Sequence, residues 1–269
     1  MHPSESTRPA SLLTVVLAVG RVTFLEILRD KVLYNTVLIS ILLFAVGILA
    51  SKVSFIAPDR IVLDFGLAAI ALSNGLLATL IGAGMVAREF ERRTILVALT
   101  RPITRFQFLL GKFSGLKWIL LLNALLLSLG YLGILRLLSG SWAIASSTLV
   151  YALYLQAFQA LLLAALALFF STFSTTSLAV MMTLGTYMVG VNVSQIRLLA
   201  LKQESAISAA VFKIVALVVP NFEHFNLGFK VTYAIPVTGS HLFLGTLYAV
   251  SWILLLMVLA GWSVERREG

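Results

Sequence analysis

Val32 to Ser51 is a run of twenty residues without one charged side chain. Five more apolar stretches follow it: Phe65 to Ala87, Trp118 to Leu138, Leu149 to Phe170, Ser177 to Gln195 and Gly239 to Trp262. Arg136, near the end of its stretch, is the single charged residue in those five. A helix needs about 20 apolar residues to cross about 30 Å of hydrocarbon at a rise of about 1.5 Å per residue. So much continuous apolar surface cannot be covered by the core of a soluble domain. Only 12% of the 269 residues are charged, where a soluble domain carries about 25%. The expected fold class is all-α integral membrane, with six transmembrane helices in a single domain over residues 1–269.

Residues 12–30 differ from these spans. Apolar Leu12, Val16, Val19, Leu25 and Ile27 mix with Arg21, Glu26, Arg29 and Asp30. Too few residues lie between Pro9 and Arg21 to cross a bilayer as a helix. An N-terminal amphipathic interfacial helix fits, with its charges among the headgroups; the plainer alternative is that this segment begins the first span. Ile207 to Val219 is also apolar, but it is short, contains Lys213 and stops at Pro220. It is expected to dip into the interface without crossing, which makes residues 196–238 an outer loop with re-entrant-type helices between spans five and six.

Lys and Arg are unevenly distributed. With the N-terminus inside, thirteen lie inside: Arg8, Arg21, Arg29, Lys31, seven between residues 88 and 117, and Arg266 and Arg267. Seven lie outside: Lys52, Arg60, Arg136, Arg197, Lys202, Lys213 and Lys230. The excess predicts cytoplasmic N- and C-termini in a cell (inner) membrane. Retention of basic residues at span ends accounts for the net charge of +9 without a nucleic-acid partner. With no cysteine, disulfides and thiolate metal sites are excluded. Arg21 follows the first apolar run without a small-residue cleavage pattern, so no removable signal peptide is expected.

The segment from Arg88 to Lys117 places nine charged residues between two apolar runs. Thr94 to Leu99 can form a short helix. Pro102 disfavours helix at Arg101 and forces a bend. Thr104-Arg-Phe-Gln107 then forms a capping box, in which the Thr hydroxyl and the Gln side chain each bond the other's backbone N–H. A helix, a sharp corner and a second helix result, suited to seating in a groove of a soluble partner. Arg88, Glu89, Glu91, Arg92, Thr94, Pro102, Thr104 and Arg105 are the candidate docking residues. Alternatively, the charges serve as a topological anchor with local ion pairs.

Catalytic and ion-coupled chemistry lacks its residues. His2, His224 and His241 are scattered, with no His-x-x-x-His or His/Glu cluster, so no metal site is expected. No span carries a central Asp, Glu or Lys, the group that lets a carrier sense its driving ion. The run before Lys112 is no phosphate loop, since Phe106 and Phe113 stand where that motif needs Gly and Ser/Thr. Uncharged polar residues do lie in the spans. Asn74, Thr79, Tyr187 and Asn192 are candidates for a translocation path, with interhelical hydrogen bonding as the alternative. Gln156 and Gln159 share a helix face and read as helix–helix glue. Gly75, Thr79, Ala83 and Ala87 form a small-residue stripe that reads as close packing.

Glu89-x-Glu91-x-x-Thr94, Leu99-x-x-Pro102-Ile103-Thr104-Arg105 and Leu110-Gly111-Lys112 together resemble the signature of type 2 ABC exporter permeases, close to those of copper-enzyme maturation and gliding systems. Pro220-Asn-Phe-Glu-His-Phe-Asn226 is similar to an outer-loop motif of the same subgroup. Arg93 departs from the pattern, standing where the family usually has Gly. The resemblance implies a non-catalytic permease subunit of an ATP-driven exporter. It implies an ABC ATPase partner that binds ATP and Mg, so no cofactor in this chain. A second permease copy, forming a homodimer or heterodimer, and membrane lipid complete the expected partners. Residues 88–105 would be the coupling helix, and the N-terminal helix would also touch the ATPase. The alternatives are a membrane assembly or mechanotransmission subunit that moves no substrate and, behind it, an ion-coupled carrier.

Overall fold

The computed structural model describes residues 12–53, 58–91, 104–139, 146–203 and 205–266. Among the described residues every regular element is helical. They are α1 (Leu12–Leu28), α2 (Lys31–Val53), α3 (Pro58–Glu91), α4 (Arg105–Ser139), α5 (Ser147–Ser171), α6 (Thr176–Gly190), α7 (Val193–Lys202), α8 (Ala206–Val218), a 3₁₀ turn (Phe222–Phe225), α9 (Gly228–Thr232) and α10 (Gly239–Arg266).

Five of these helices are long and apolar enough to cross a membrane: α2, α3, α4, α5 and α10. They coincide with five of the six expected spans. The fifth expected span, Ser177 to Gln195, is a bent pair instead. α6 has 15 residues, about 22 Å of helix, and α7 leaves it at 65°. The bend follows Gly190, where a Cβ would lie 2.4 Å from Phe222 Cδ2 and 2.5 Å from the Pro220 carbonyl oxygen. The Pro220–Phe222 segment lies so close to Gly190 that nothing but hydrogen fits there. A second bent pair, α8 with Phe222–Thr232, turns by 45°. Counting each pair as one span gives up to seven crossings.

Local chemistry starts and stops these helices. The Ser146 hydroxyl caps α5 by accepting from Leu149 N at 3.3 Å. α9 ends with Ala234 at φ 53°. Ile235 N donates to the Lys230 carbonyl at 2.8 Å and Ala234 N to the Val231 carbonyl at 3.1 Å, a Schellman closure at which Ala stands where Gly is usual.

α5 is the buried axis. Of its apolar window 72% is buried, against 22% for α2 and for α10, and α3, α4, α6 and α10 pack around it. Lipid is as apolar as Leu, so close packing rather than burial from water holds such helices together. Small residues permit it. At Gly82 a Cβ would lie 3.0 Å from Ala167 Cβ and 3.2 Å from the Ala164 carbonyl oxygen, and neighbouring Ala83 packs with Ala167 and Ala179 at zero exposure.

α1 packs closely against α4. Val16, Val19, Gly20, Thr23 and Glu26, spread over about 15 Å of α1, all meet α4 between Gly111 and Gly115. The close approach needs glycine on both sides. A Cβ at Gly20 would lie 2.2 Å from Ser114 Oγ, and one at Gly115 would lie 2.6 Å from the Gly20 carbonyl oxygen.

Candidate functional site

The charged end of the bundle lies where α3 stops and α4 begins. The capping box forms as its sequence requires: Gln107 N donates to Thr104 Oγ1 at 3.2 Å, and Thr104 N donates to Gln107 Oε1 at 3.0 Å. This fixes the first turn of α4. Arg105 then points across to α10, its Nη1 donating to the Val264 carbonyl oxygen at 3.2 Å. A cation near the C-terminal turn of a helix also meets the negative end of its dipole. Phe106 fills the space left by Gly261, where a Cβ would lie 2.7 Å from the ring.

Two turns into α4, Lys112 is buried, with 9% of its surface exposed. Its ammonium lies 2.6 Å from Glu89 Oε1 on α3 and 3.6 Å from Glu26 Oε2 on α1. A buried lysine is tolerated only when paired, so this side chain ties three helices at one point. A polar cavity of about 240 Å³ opens beside it, bordered by Thr23, Glu26, Asp30, Arg88, Glu89 and Lys112. Of the eight docking candidates, Arg88, Glu89, Thr104 and Arg105 are therefore gathered at this end. Arg92, Thr94, Pro102 and the Glu91 side chain lie outside the described residues, as do the expected short helix and the bend.

Sequence reasoning left Lys112 without a role and did not foresee that Arg105 meets α10. One signal was available: Gly111 and Gly115 stand four apart on α4, the spacing that lets a second helix cross closely.

The four path candidates fall in different places. Asn74 and Thr79 are enclosed within the chain at 1% exposure each. Asn123 Nδ2 donates to Asn74 Oδ1 at 2.9 Å and to Ser73 Oγ at 3.3 Å, and Ser73 Oγ donates to the Thr36 carbonyl oxygen at 3.3 Å. The result is a polar chain joining α2, α3 and α4. Tyr187, half-buried on α6, accepts a hydrogen bond from Gln159 Nε2 at 2.8 Å. Asn192 is exposed at the α6–α7 bend, its Nδ2 donating to the Met188 carbonyl oxygen at 2.8 Å. Gln156 Nε2 reaches the Leu67 carbonyl oxygen on α3 at 3.3 Å, a helix-to-helix bond as expected of that residue.

The opposite end is closed by the Pro220–Asn226 segment. Phe222 and Phe225 are fully buried, and Asn221 N donates to Tyr248 Oη at 2.7 Å. The Glu223 carboxylate accepts from Ser194 N at 2.7 Å and also from the Ser194 hydroxyl, pinning the first turn of α7. His224 packs edge-on to Tyr248. Burial, then nearby His241, push its imidazole pKa below the usual 6.5, with Glu223 opposing the shift.

Among curated proteins none matches the chain significantly. The profile of the ABC-2 family transporter protein matches residues 11–266, nearly the whole chain, and takes in both ends described above. The chain thus belongs to the ABC-2 transporter family and is a membrane permease component of an ABC transporter, a family whose membrane subunits work with an ABC ATPase.

Proposed function

We propose that this permease takes up mechanical work from a separate ATPase at residues 88–105 and uses it to export a substrate. In this reading the charged end faces the cytoplasm, with both termini inside and six crossings, as the excess of Lys and Arg on that side favours. α1 lies along the cytoplasmic interface, as its mixture of apolar and charged residues favours. The observation that carries the proposal is the joint at the charged end. Arg105 is hydrogen-bonded to the last turn of α10, and Lys112 bridges α1 and α3. A push on the 88–105 corner would reach four helices at once.

Two copies would pair to form the route. α6 leaves Met181, Leu184 and Met188 exposed on one side, a surface suited to a second copy, and Tyr187 and Asn192 would line a path beside it. Asn74 and Thr79 would join that path only if α3 parted from its neighbours.

The test is ATP hydrolysis by the co-purified partner. Arg105→Ala and Glu89→Ala are expected to preserve assembly while lowering permease-stimulated hydrolysis at least tenfold. Unchanged binding and unchanged stimulation in both variants would rule out this corner as the coupling site. Substrate accumulation in inverted vesicles separates export from mechanotransmission without transport.

A further inference from the structure

Where α1 packs on α4, the two helices enclose an open groove of about 490 Å³. Leu17, Arg21 and Phe24 line it from one face of α1, at four- and three-residue spacing. Trp118, Leu121 and Leu125 line it from α4. All but one of these six side chains are apolar or aromatic. The exception, Arg21, is exposed and has no ion pair among the described residues. Lys117 extends beside the groove with its ammonium 5.1 Å from the Trp118 ring centroid, and it too lacks a carboxylate partner among the described residues.

The order of residues along α4 sets the depth. Lys112 and Lys117 come first, then Trp118, then a run without a charged residue up to Arg136. Trp and basic residues collect at the headgroup level of a bilayer. The groove therefore begins at the headgroups and descends about 10 Å, from Trp118 to Leu125, toward the acyl chains. Two cations without a carboxylate partner among the described residues sit at its upper edge, and apolar walls continue below. An anionic headgroup with an acyl chain complements both parts; a zwitterionic lipid or a bare hydrocarbon complements only one.

We propose that this groove is a binding site for one anionic phospholipid of the leaflet bordering the charged end. Arg21 and Lys117 hold its phosphate, and one acyl chain lies against Phe24, Leu121 and Leu125. The lipid would sit in the angle between α1 and α4 and brace α1 against the turn that carries Lys112.

The test uses the full-length chain reconstituted in vesicles of phosphatidylcholine or phosphatidylglycerol with bromine-labelled acyl chains. The signal is the fluorescence of wild type minus that of Trp118→Phe, which isolates Trp118. Phosphatidylglycerol is expected to quench it at a mole fraction on the order of tenfold lower than phosphatidylcholine, given two basic side chains near one anionic headgroup. In Arg21→Gln/Lys117→Gln the two lipids should quench alike. Equal quenching in wild type, or a preference that survives the double variant, would overturn the proposal. So would a Trp118 shielded from both lipids, which would place a second copy of the chain in the groove. Native mass spectrometry of the wild-type protein gives a readout free of the tryptophan variant: phosphatidylglycerol should be retained after delipidation and phosphatidylcholine lost, and the reverse would refute the site.

Discussion

The ammonium of Lys112 stands 2.6 Å from the Glu89 carboxylate, with the two side chains only 11% and 22% exposed. Neither charge has much water to fall back on. Removing one partner leaves the other desolvated, whereas removing both leaves only a packing change. Glu89→Gln is therefore expected to cost about 1–3 kcal/mol. The double variant Glu89→Gln/Lys112→Met should cost less than the sum of the two single changes. Chemical unfolding of the four proteins in one detergent measures this, and strictly additive losses would show that the pair does not interact.

Gly115 and Gly133 both lie on α4 but face different surroundings. A Cβ at Gly115 would lie 2.6 Å from the Gly20 carbonyl oxygen and 2.7 Å from Thr23 Cβ, while at Gly133 nothing lies within 4 Å. Gly133→Ala should be neutral or stabilise by up to about 1 kcal/mol, the helix-propensity difference. Gly115→Ala gains the same propensity but must push α1 away, because the obstacle is backbone. Hydrogen exchange at the α1 amides should rise in Gly115→Ala and stay unchanged in Gly133→Ala.

Tyr131 is fully buried, donates to the Leu63 carbonyl oxygen at 3.0 Å and stacks on Phe44 at 5.8 Å. Its ring fills the space beside Gly66, where a Cβ would lie 2.0 Å from Tyr131 Cε2. Tyr131→Phe keeps the ring and is expected to cost about 1 kcal/mol. Gly66→Ala forces the ring out of its place and should cost roughly 1–3 kcal/mol from overpacking alone. Thermal unfolding that ranked the two in the opposite order would contradict this packing.

The pKa of His224 is lowered, first by burial and then by His241 and Arg197, with Glu223 pulling the other way. A histidine with a depressed folded-state pKa contributes its stability above the unfolded value and loses it as pH falls toward the folded value. The turn at Phe222–Phe225 is thus expected to loosen as pH drops below about 6.5. Protease susceptibility of this turn should increase on acidification in wild type and change less in His224→Gln.

Much of the framework was legible along the chain. Long apolar runs can satisfy their backbone in a membrane only as helices, and five of the six expected spans lie within long helices, two of which, α3 and α4, begin well before the expected spans. The Thr104–Gln107 box was readable because its two hydrogen bonds involve residues three apart. The exception was the fifth span. Its apolar run continues past Gly190, but the helix bends just after it, where Phe222 and Pro220, some thirty residues downstream, pack against Gly190. No local pattern announces a partner that far away.

The functional end was half legible. Charge density marked the segment between Arg88 and Lys117 as leaving the membrane, and the Thr-Arg pair placed Arg105 at a helix start. That Arg105 meets α10, and that Lys112 gathers Glu89 and Glu26, depends on which helices are neighbours. Asn74 looked like a candidate for a pore because a polar residue in a span is ambiguous by itself; its enclosure beside Asn123 settles its surroundings.

By itself the sequence determined which stretches are helices, which of them suit a bilayer, and where charge must leave it. Those outcomes follow from hydropathy, backbone hydrogen bonding and caps, all of which act over a few residues. Only the tertiary structure decided which polar groups meet, how α1 packs on α4 through paired glycines, and where Arg21 faces an apolar groove. Such contacts join residues far apart in the chain, and in lipid they arise from shape and close packing, properties that belong to pairs of helices and to neither helix alone.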